Sequence, residues 1–442
     1  MKGILKGWIK MKKLTTLTLC LAALLLLCDC QSRVQNENEE FELSFPVIID
    51  MEEIVNQPIT ELNLSMVADS LEYIPLETLS ESLIDLMGNV ALTEEFIFLR
   101  TTRRILKFSR DGKYLSDISS QGRGPGEYQG LRNISIDKDN ERVFIYPNWV
   151  RELLIYNFDN KYLGKIPLFH SYYDLALSIF FAGNDHFIAL GNWITPEELS
   201  KEMFLVALLD STGKIIEKVD SPLMQSADYL NNKNIIYPGT GAPSYHDSLA
   251  LSIGWGSDTI YAKSHHGIEP RYILNFGRYD APFEIKYGYS SDPDELRRIY
   301  GKRYGYIWLS TTPIETRDYL FLEFSLNDYL YLAAYSKQTS QSLLFREKGT
   351  VRSGIIRYGS HFNTESFGFK NDLDGGLNFY PRWTNLNSNV WITSCNAFEL
   401  ISSLDEIRER DPENQQKHKR LIDLIEKLDE NDNPVLVVAH LK

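Results

Sequence analysis

From about residue 62 onward, short apolar runs of β type alternate with polar turns. Three consecutive examples are Glu95–Leu99, Arg104–Phe108 and Lys113–Ile118, with Asp111-Gly112 as a hairpin signal between the last two. No useful stretch with a helical period appears before residue 403. From 403 to 430 the pattern changes: Leu421, Leu424, Ile425 and Leu428 fall at spacings of three and four, which predicts a helical insertion. Pro434 to Ala439 then reads as a strand again.

A longer period lies beneath the short one. Residues 104–118 read RILKFSRDGKYLSDI and residues 152–166 read ELLIYNFDNKYLGKI; residues 204–219, FLVALLDSTGKIIEKV, repeat the pattern with Thr212-Gly213 as the turn. A four-stranded antiparallel unit recurring at roughly 50 residues is what a propeller blade looks like. Later copies diverge. A fourth blade is expected over 248–276 and a fifth over 313–346; a sixth starts near Leu377–Tyr380, continues at Val390–Thr393 and takes its third strand from the C-terminus. Its fourth strand is missing there, while Leu71–Leu76 is spare at the other end. An open ring would leave unpaired strand edges, so the spare strand is expected to close blade six. The alternative is an independent N-terminal β-element. The fold class expected is therefore all-β, a six-bladed β-propeller of four-stranded antiparallel blades over 61–442.

The first sixty residues follow other rules. Lys10, Lys12 and Lys13 precede an almost wholly apolar run, Leu14–Leu27, which is shorter than a membrane span needs and reads as a secretory signal over 1–29. The run ends Leu27-Cys28-Asp29-Cys30, similar to a bacterial lipobox with Leu27 three residues before Cys30, the expected lipidation site; Cys28 is the alternative. Residues 30–60 open with an acidic polar stretch that cannot bury enough apolar surface to order itself, and are expected to be a flexible tether. The chain as a whole carries a net charge of −14, and removing residues 1–29 leaves 41 basic and 59 acidic residues. That excludes nucleic acid as a partner, and it leaves the lipid as the only contact with membrane. Cys395 is the single cysteine of the body, so a disulfide framework and a cysteine metal cluster are both excluded.

Several segments resemble the six-bladed β-propeller lipoproteins of the Bacteroides group: Leu62–Ser65, Leu71–Thr78, Gly122–Tyr128, Asn371–Gly376 and Asp432–Leu436. Blades one and two also resemble NHL-repeat propellers. The resemblance covers nearly the whole mature chain. It implies the fold and a place in the cell envelope, at the outer membrane on either its periplasmic or its surface face. The Asp29 before Cys30 departs from the small residue usual in a lipobox.

Candidate site residues come from loops and inner strands. Gln121–Tyr128 holds three glycines that permit a tight crossover between blades, which would put Arg123, Glu127 and Tyr128 near a channel mouth. Trp149 and Arg151 lie in a hairpin of blade two, where an exposed indole beside a guanidinium suits a sugar or a peptide. The bland readings are a conformational crossover and a Trp packed between blades. Asp372, Asp374 and Gly375-Gly376 look like a calcium loop but lack its ligand spacing and its closing Glu, so a turn is expected. No His-x-His, His-Glu-x-x-His or Gly-x-Ser-x-Gly pattern occurs. Neither catalytic residues, a metal site nor a cofactor is assigned. The reading favoured is a monomeric, lipid-anchored binding propeller for a glycan, peptide or protein partner. The alternatives are a propeller lactonase, lyase or hydrolase with a channel-bound metal, and a docking role for the helix at 403–430.

Overall fold

The computed structural model describes residues 44–148, 150–168, 176–191, 204–221, 242–253, 256–287, 292, 294, 298, 301–309, 311–348 and 367–442. The chain divides after Ser44, and the fold below belongs to the unit Phe45–Lys442. Among the described residues no helix is long and apolar enough to cross a membrane.

The unit opens with strand β1 (Val47–Asp50) and helix α1 (Met51–Val55), and then β2 (Ala68–Pro75). Blade 1 is β3 (Val90–Leu92), β4 (Phe96–Arg100), β5 (Ile105–Ser109) and β6 (Tyr114–Asp117). Blade 2 is β7 (Leu131–Asp137), β8 (Arg142–Pro147), β9 (Glu152–Asn157) and β10 (Tyr162–Pro167). Blade 3 is β11 (Ala176–Phe181), β12 (Phe187–Gly191), β13 (Phe204–Leu209) and β14 (Ile215–Asp220). Blade 4 is β15 (Ser244–His246), β16 (Leu249–Ile253), β17 (Thr259–Ser264) and β18 (Gly267–Asn275). Blade 5, after helix α2 (Phe283–Lys286), has a broken inner strand, β19 (Trp308–Leu309) and β20 (Ile314–Glu315), followed by β21 (Tyr319–Leu326), β22 (Tyr329–Ser336) and β23 (Ser342–Lys348). Blade 6 is β24 (Trp383–Thr384), β25 (Val390–Cys395) and, after helices α3 (Ala397–Ser402), α4 (Leu404–Glu409) and α5 (Gln415–Ile425), β26 (Val435–Leu441).

Each blade is an antiparallel meander, and β2 supplies the outer strand of blade 6 beside β26. Leu71 pairs with Ala439 and Pro75 with Val435, so the two ends of the chain close the ring as the edge argument requires. The inner strand of blade 6 falls at Trp383–Thr384 rather than near 377–380. Phe379 instead pairs singly with Phe369 and is buried.

The core lies between blades, and six clusters fill six seams. Phe98, Ile134 and Val143 join blades 1 and 2, and Phe144, Phe181 and Phe187 join blades 2 and 3. Ile188, Val206 and Ala250 join blades 3 and 4; Ile260, Leu322 and Phe324 join blades 4 and 5. Phe321 and Trp391 join blades 5 and 6, and Leu99, Leu106 and Val438 join blades 6 and 1. Full burial of one such side chain contributes roughly 1.5–3 kcal/mol. A seventh cluster, with Leu400, Ile407, Leu421 and Ile425, turns the apolar sides of the three helices onto Val435, so the insertion caps blade 6.

The ordered body starts earlier than residue 61. Strand β1 pairs in parallel with β18, with Val47 opposite Tyr272, and makes a fifth strand on blade 4. Ile49, Met51 and Ile54 are buried, and the Asp50 carboxylate caps α1 by accepting from the Glu52 and Glu53 amides. The tether boundary expected at 60 is corrected on that ground: this segment alternates buried and exposed residues and finds a sheet edge to cover.

Candidate functional site

A meander fixes which connections share a face. In each blade the turns from first to second strand and from third to fourth lie on one face. The turns from second to third strand, and the crossovers to the next blade, lie on the other. The first set is short throughout, two to five residues, and blade 6 has no turn from third to fourth strand because β2 comes from the other end of the chain. Among the described residues, the second set carries the long segments 76–89 and 118–130 and the helical insertion 396–434. The two faces therefore differ in kind, one of tight turns and one of elaborated loops.

The tight-turn face is also crossed at its axis. Turn 385–389 of blade 6 bonds to blades that are not its neighbours. Lys138 Nζ of blade 2 donates to the Asn387 carbonyl at 2.8 Å, and the Asn387 amide donates to the Asp247 carbonyl of blade 4 at 2.7 Å. Leu386 packs against the cluster shared by blades 2 and 3. Thr384 Oγ1 accepts from the Tyr245 amide at 2.7 Å, drawing the inner strands of blades 6 and 4 together over the short inner strand of blade 5. A ligand approaching along the axis meets turn 385–389 on this side.

Arg123, Glu127, Tyr128 and Arg151 belong to connections on the loop face. In crossover 118–130 Gln121 pairs with Tyr128, the Gly122 amide donates to the Tyr128 carbonyl at 2.9 Å, and the Tyr128 amide donates to Ser120 at 3.2 Å. Gly126 has a φ of 84°, and a Cβ there would come within 2.6 Å of the Tyr156 hydroxyl, so both backbone conformation and close approach demand glycine. Glu127 folds back to accept the Gly124 amide at 2.7 Å and the Ser120 hydroxyl at 3.3 Å. Arg123 stands exposed, and Arg151 is exposed on the adjoining turn. Trp149 lies outside the described residues, as does Cys30.

Tyr128 is corrected: it is 2% exposed, packs in the seam of blades 1 and 2, and donates its hydroxyl to the Arg103 carbonyl at 3.2 Å. Burial pushes its phenol well above the ordinary range. The residue ties two loops together from beneath and offers no surface to a ligand.

The remaining candidates resolve by their contacts. Asp372 accepts from the Ser65 amide and hydroxyl, at 3.0 and 2.5 Å. Asp374 accepts from Tyr73, Asn371 and the Gly376 amide, and burial holds its carboxyl above the ordinary value. Both are spent on holding a turn. The Cys395 thiol is pushed up to about 12, by burial first and then by Glu399, which removes it as a nucleophile. Among the described residues no group of three or more His, Cys, Asp or Glu is gathered as a metal ion would need. Trp308 and Trp391 are core residues.

A buried charge cluster between blades 4 and 5 gives no signal in the sequence. Arg271 donates to both oxygens of Glu315 at 2.6 Å, Lys337 Nζ donates at 3.0 Å and Tyr272 at 2.9 Å. Burial alone would raise the Glu315 carboxyl, but Arg271 and Lys337 outweigh it and hold it below its ordinary value. Only the blade pairing brings residues 271, 315 and 337 together, and the cluster's role is to join the seam.

A family model described as a domain of unknown function, DUF4934, matches residues 46–440, almost the whole described unit. The chain belongs to the DUF4934 family. This DUF4934 protein is similar in fold to a crystal structure from Bacteroides fragilis of a protein assigned as exported, at 17% identity and a TM-score of 0.58, covering 90% of this chain and 99% of that one. A DUF4221 family member from Bacteroides vulgatus aligns at 13% identity and a TM-score of 0.42, over 85% of this chain and 97% of that one. No curated protein matches the DUF4934 chain in sequence.

Proposed function

We propose that this DUF4934 propeller is an exported, envelope-anchored binding protein whose loop face carries the ligand surface. The observation that carries this reading is the asymmetry of the two faces: the long described connections 76–89, 118–130 and 396–434 emerge on one side, and turn 385–389 bonds across the axis on the other. Elaborated loops on a rigid scaffold are where binding residues gather. The N-terminal signal and Cys30 support a lipid anchor at the outer membrane, and the described likeness to a Bacteroides protein assigned as exported agrees with export. The partner would be a glycan, a peptide or a protein of the envelope.

A photo-crosslinking residue placed at exposed Pro125 on the loop face, or at exposed Asp139 on the tight-turn face, tests this in the full chain on isolated cell envelopes. Adducts from position 125 and none from 139 are expected. Adducts from 139 alone, or from neither, would refute the assignment of the face.

A further inference from the structure

The loop face of blades 1 and 2 carries positive charge that the chain itself leaves unanswered. Arg103 is in turn 101–104 of blade 1, Arg123 in the crossover to blade 2 and Arg151 in turn 148–151 of blade 2. All three are exposed, and none has an acidic partner among the described residues. The three segments are bonded into one surface. Tyr128 ties the crossover to Arg103, and the Asn148 amide donates to the Gly130 carbonyl at 2.8 Å. Arg132, at the start of the inner strand of blade 2, lies over the Tyr146 ring at 5.7 Å beside them.

The nearby carboxylates are already engaged. Asp117 holds Arg104 at 2.6 Å, Glu152 holds Lys165 at 2.5 Å, Glu127 takes its own loop's amide, and Asp85 accepts the Leu86 and Thr102 amides. Three guanidinium groups without an ion-pair partner among the described residues thus stand on adjoining loops of a chain of net charge −14, while Glu127 and Asp85 are held by backbone amides.

We infer that this patch is an oxyanion-binding surface for an anionic polysaccharide, one bearing uronate carboxylates or sulfate esters. Arginine presents a planar fork of donors that matches a carboxylate or sulfate in bidentate fashion, and three such forks on adjoining loops suit a polymer that repeats its charge. A protein partner would need apolar anchors as well. Among the described residues no exposed large apolar side chain falls within 101–104, 118–130 or 148–151, the segments that carry the three arginines; Leu83 and Leu86 are exposed on the adjoining segment 76–89. This inference rests on the loop-face reading and adds the ligand class to it.

The test is binding of the full chain to polygalacturonate, dextran sulfate, neutral dextran and polyglutamate, by calorimetry over a range of salt. Polygalacturonate or dextran sulfate is expected to bind and neutral dextran not, and which of the two binds more tightly tells carboxylate from sulfate. Affinity should fall with salt, and the log–log slope should shrink by about one for each ionic contact removed. The triple variant Arg103→Ser, Arg123→Ser, Arg151→Ser should bind at least about tenfold more weakly, while Arg420→Ser, an exposed arginine on helix α5, should bind as the parent does. Failure of both polysaccharides to bind, tighter binding of polyglutamate, or a triple variant with parental affinity would each overturn the inference. Crosslinking from Pro125 together with any of these results would leave the loop face standing as the binding side and remove only its ligand class.

Discussion

Lys138 and Asn387 are joined by a 2.8 Å hydrogen bond from the lysine ammonium to the asparagine carbonyl, although blades 2 and 6 are not neighbours in the ring. Such a bond must reach past the inner edge of blade 1. Asn387 adopts a φ of 52°, a left-handed conformation that Asn tolerates and β-branched residues do not. Replacing Asn387 by Val should therefore destabilise the protein by about 1–2 kcal/mol, and replacing it by Gly should change stability by less than about 0.5 kcal/mol. Urea unfolding of the two variants checks the difference; equal losses would mean that the turn is not held in this conformation.

The seam between blades 5 and 6 is one of the two that bring the N-terminal strand's own blade against the rest. Trp391 is 1% exposed there, edge-on to Phe321 at 5.4 Å and tilted against Phe369 at 5.5 Å. Trp391→Ala should cost about 3–5 kcal/mol, as expected for an aromatic removed from a packed core. Leu115→Ala, on the exposed outer strand of blade 1, should cost less than about 0.5 kcal/mol. Thermal or urea unfolding of both variants separates a seam residue from a surface one.

Glu315 should behave as a buried ion-pair partner. Glu315→Gln leaves Arg271 and Lys337 without a counter-charge, so a loss of about 3–5 kcal/mol is expected at pH 7. The folded carboxyl titrates below the 4.5 of an ordinary glutamate. Its stabilising contribution is thus fully present above that value and is lost as the pH falls through the lowered folded value. The gap between parent and variant should accordingly narrow on acidification. A gap that stays constant from pH 7 down to the acid limit of folding would contradict the pairing.

Much of the ring can be read directly along the chain. Asp111-Gly112, Asn160 and Thr212-Gly213 mark the outermost hairpins of blades 1 to 3, because those turns need residues that accept positive φ, and Gly112, Asn160 and Gly213 all have it. Strand Ala68–Pro75 can be assigned to the last blade because edges must be covered. Other features depend on distance in sequence. Val47–Asp50 looks like the end of a tether until its parallel partner Tyr272–Asn275, more than two hundred residues away, is in place. Tyr128 reads as a loop aromatic, and only the seam beneath shows that its ring points inward. Arg103 and Arg104 are adjacent and chemically equal; which one is free is decided by Asp117, which takes Arg104.

Hydrogen–deuterium exchange of the full chain with and without isolated envelope material tests the central claim most directly. The account predicts new protection over 101–104, 118–130 and 148–151, with no change over 138–141 and 385–389. Protection confined to the last two segments would contradict it.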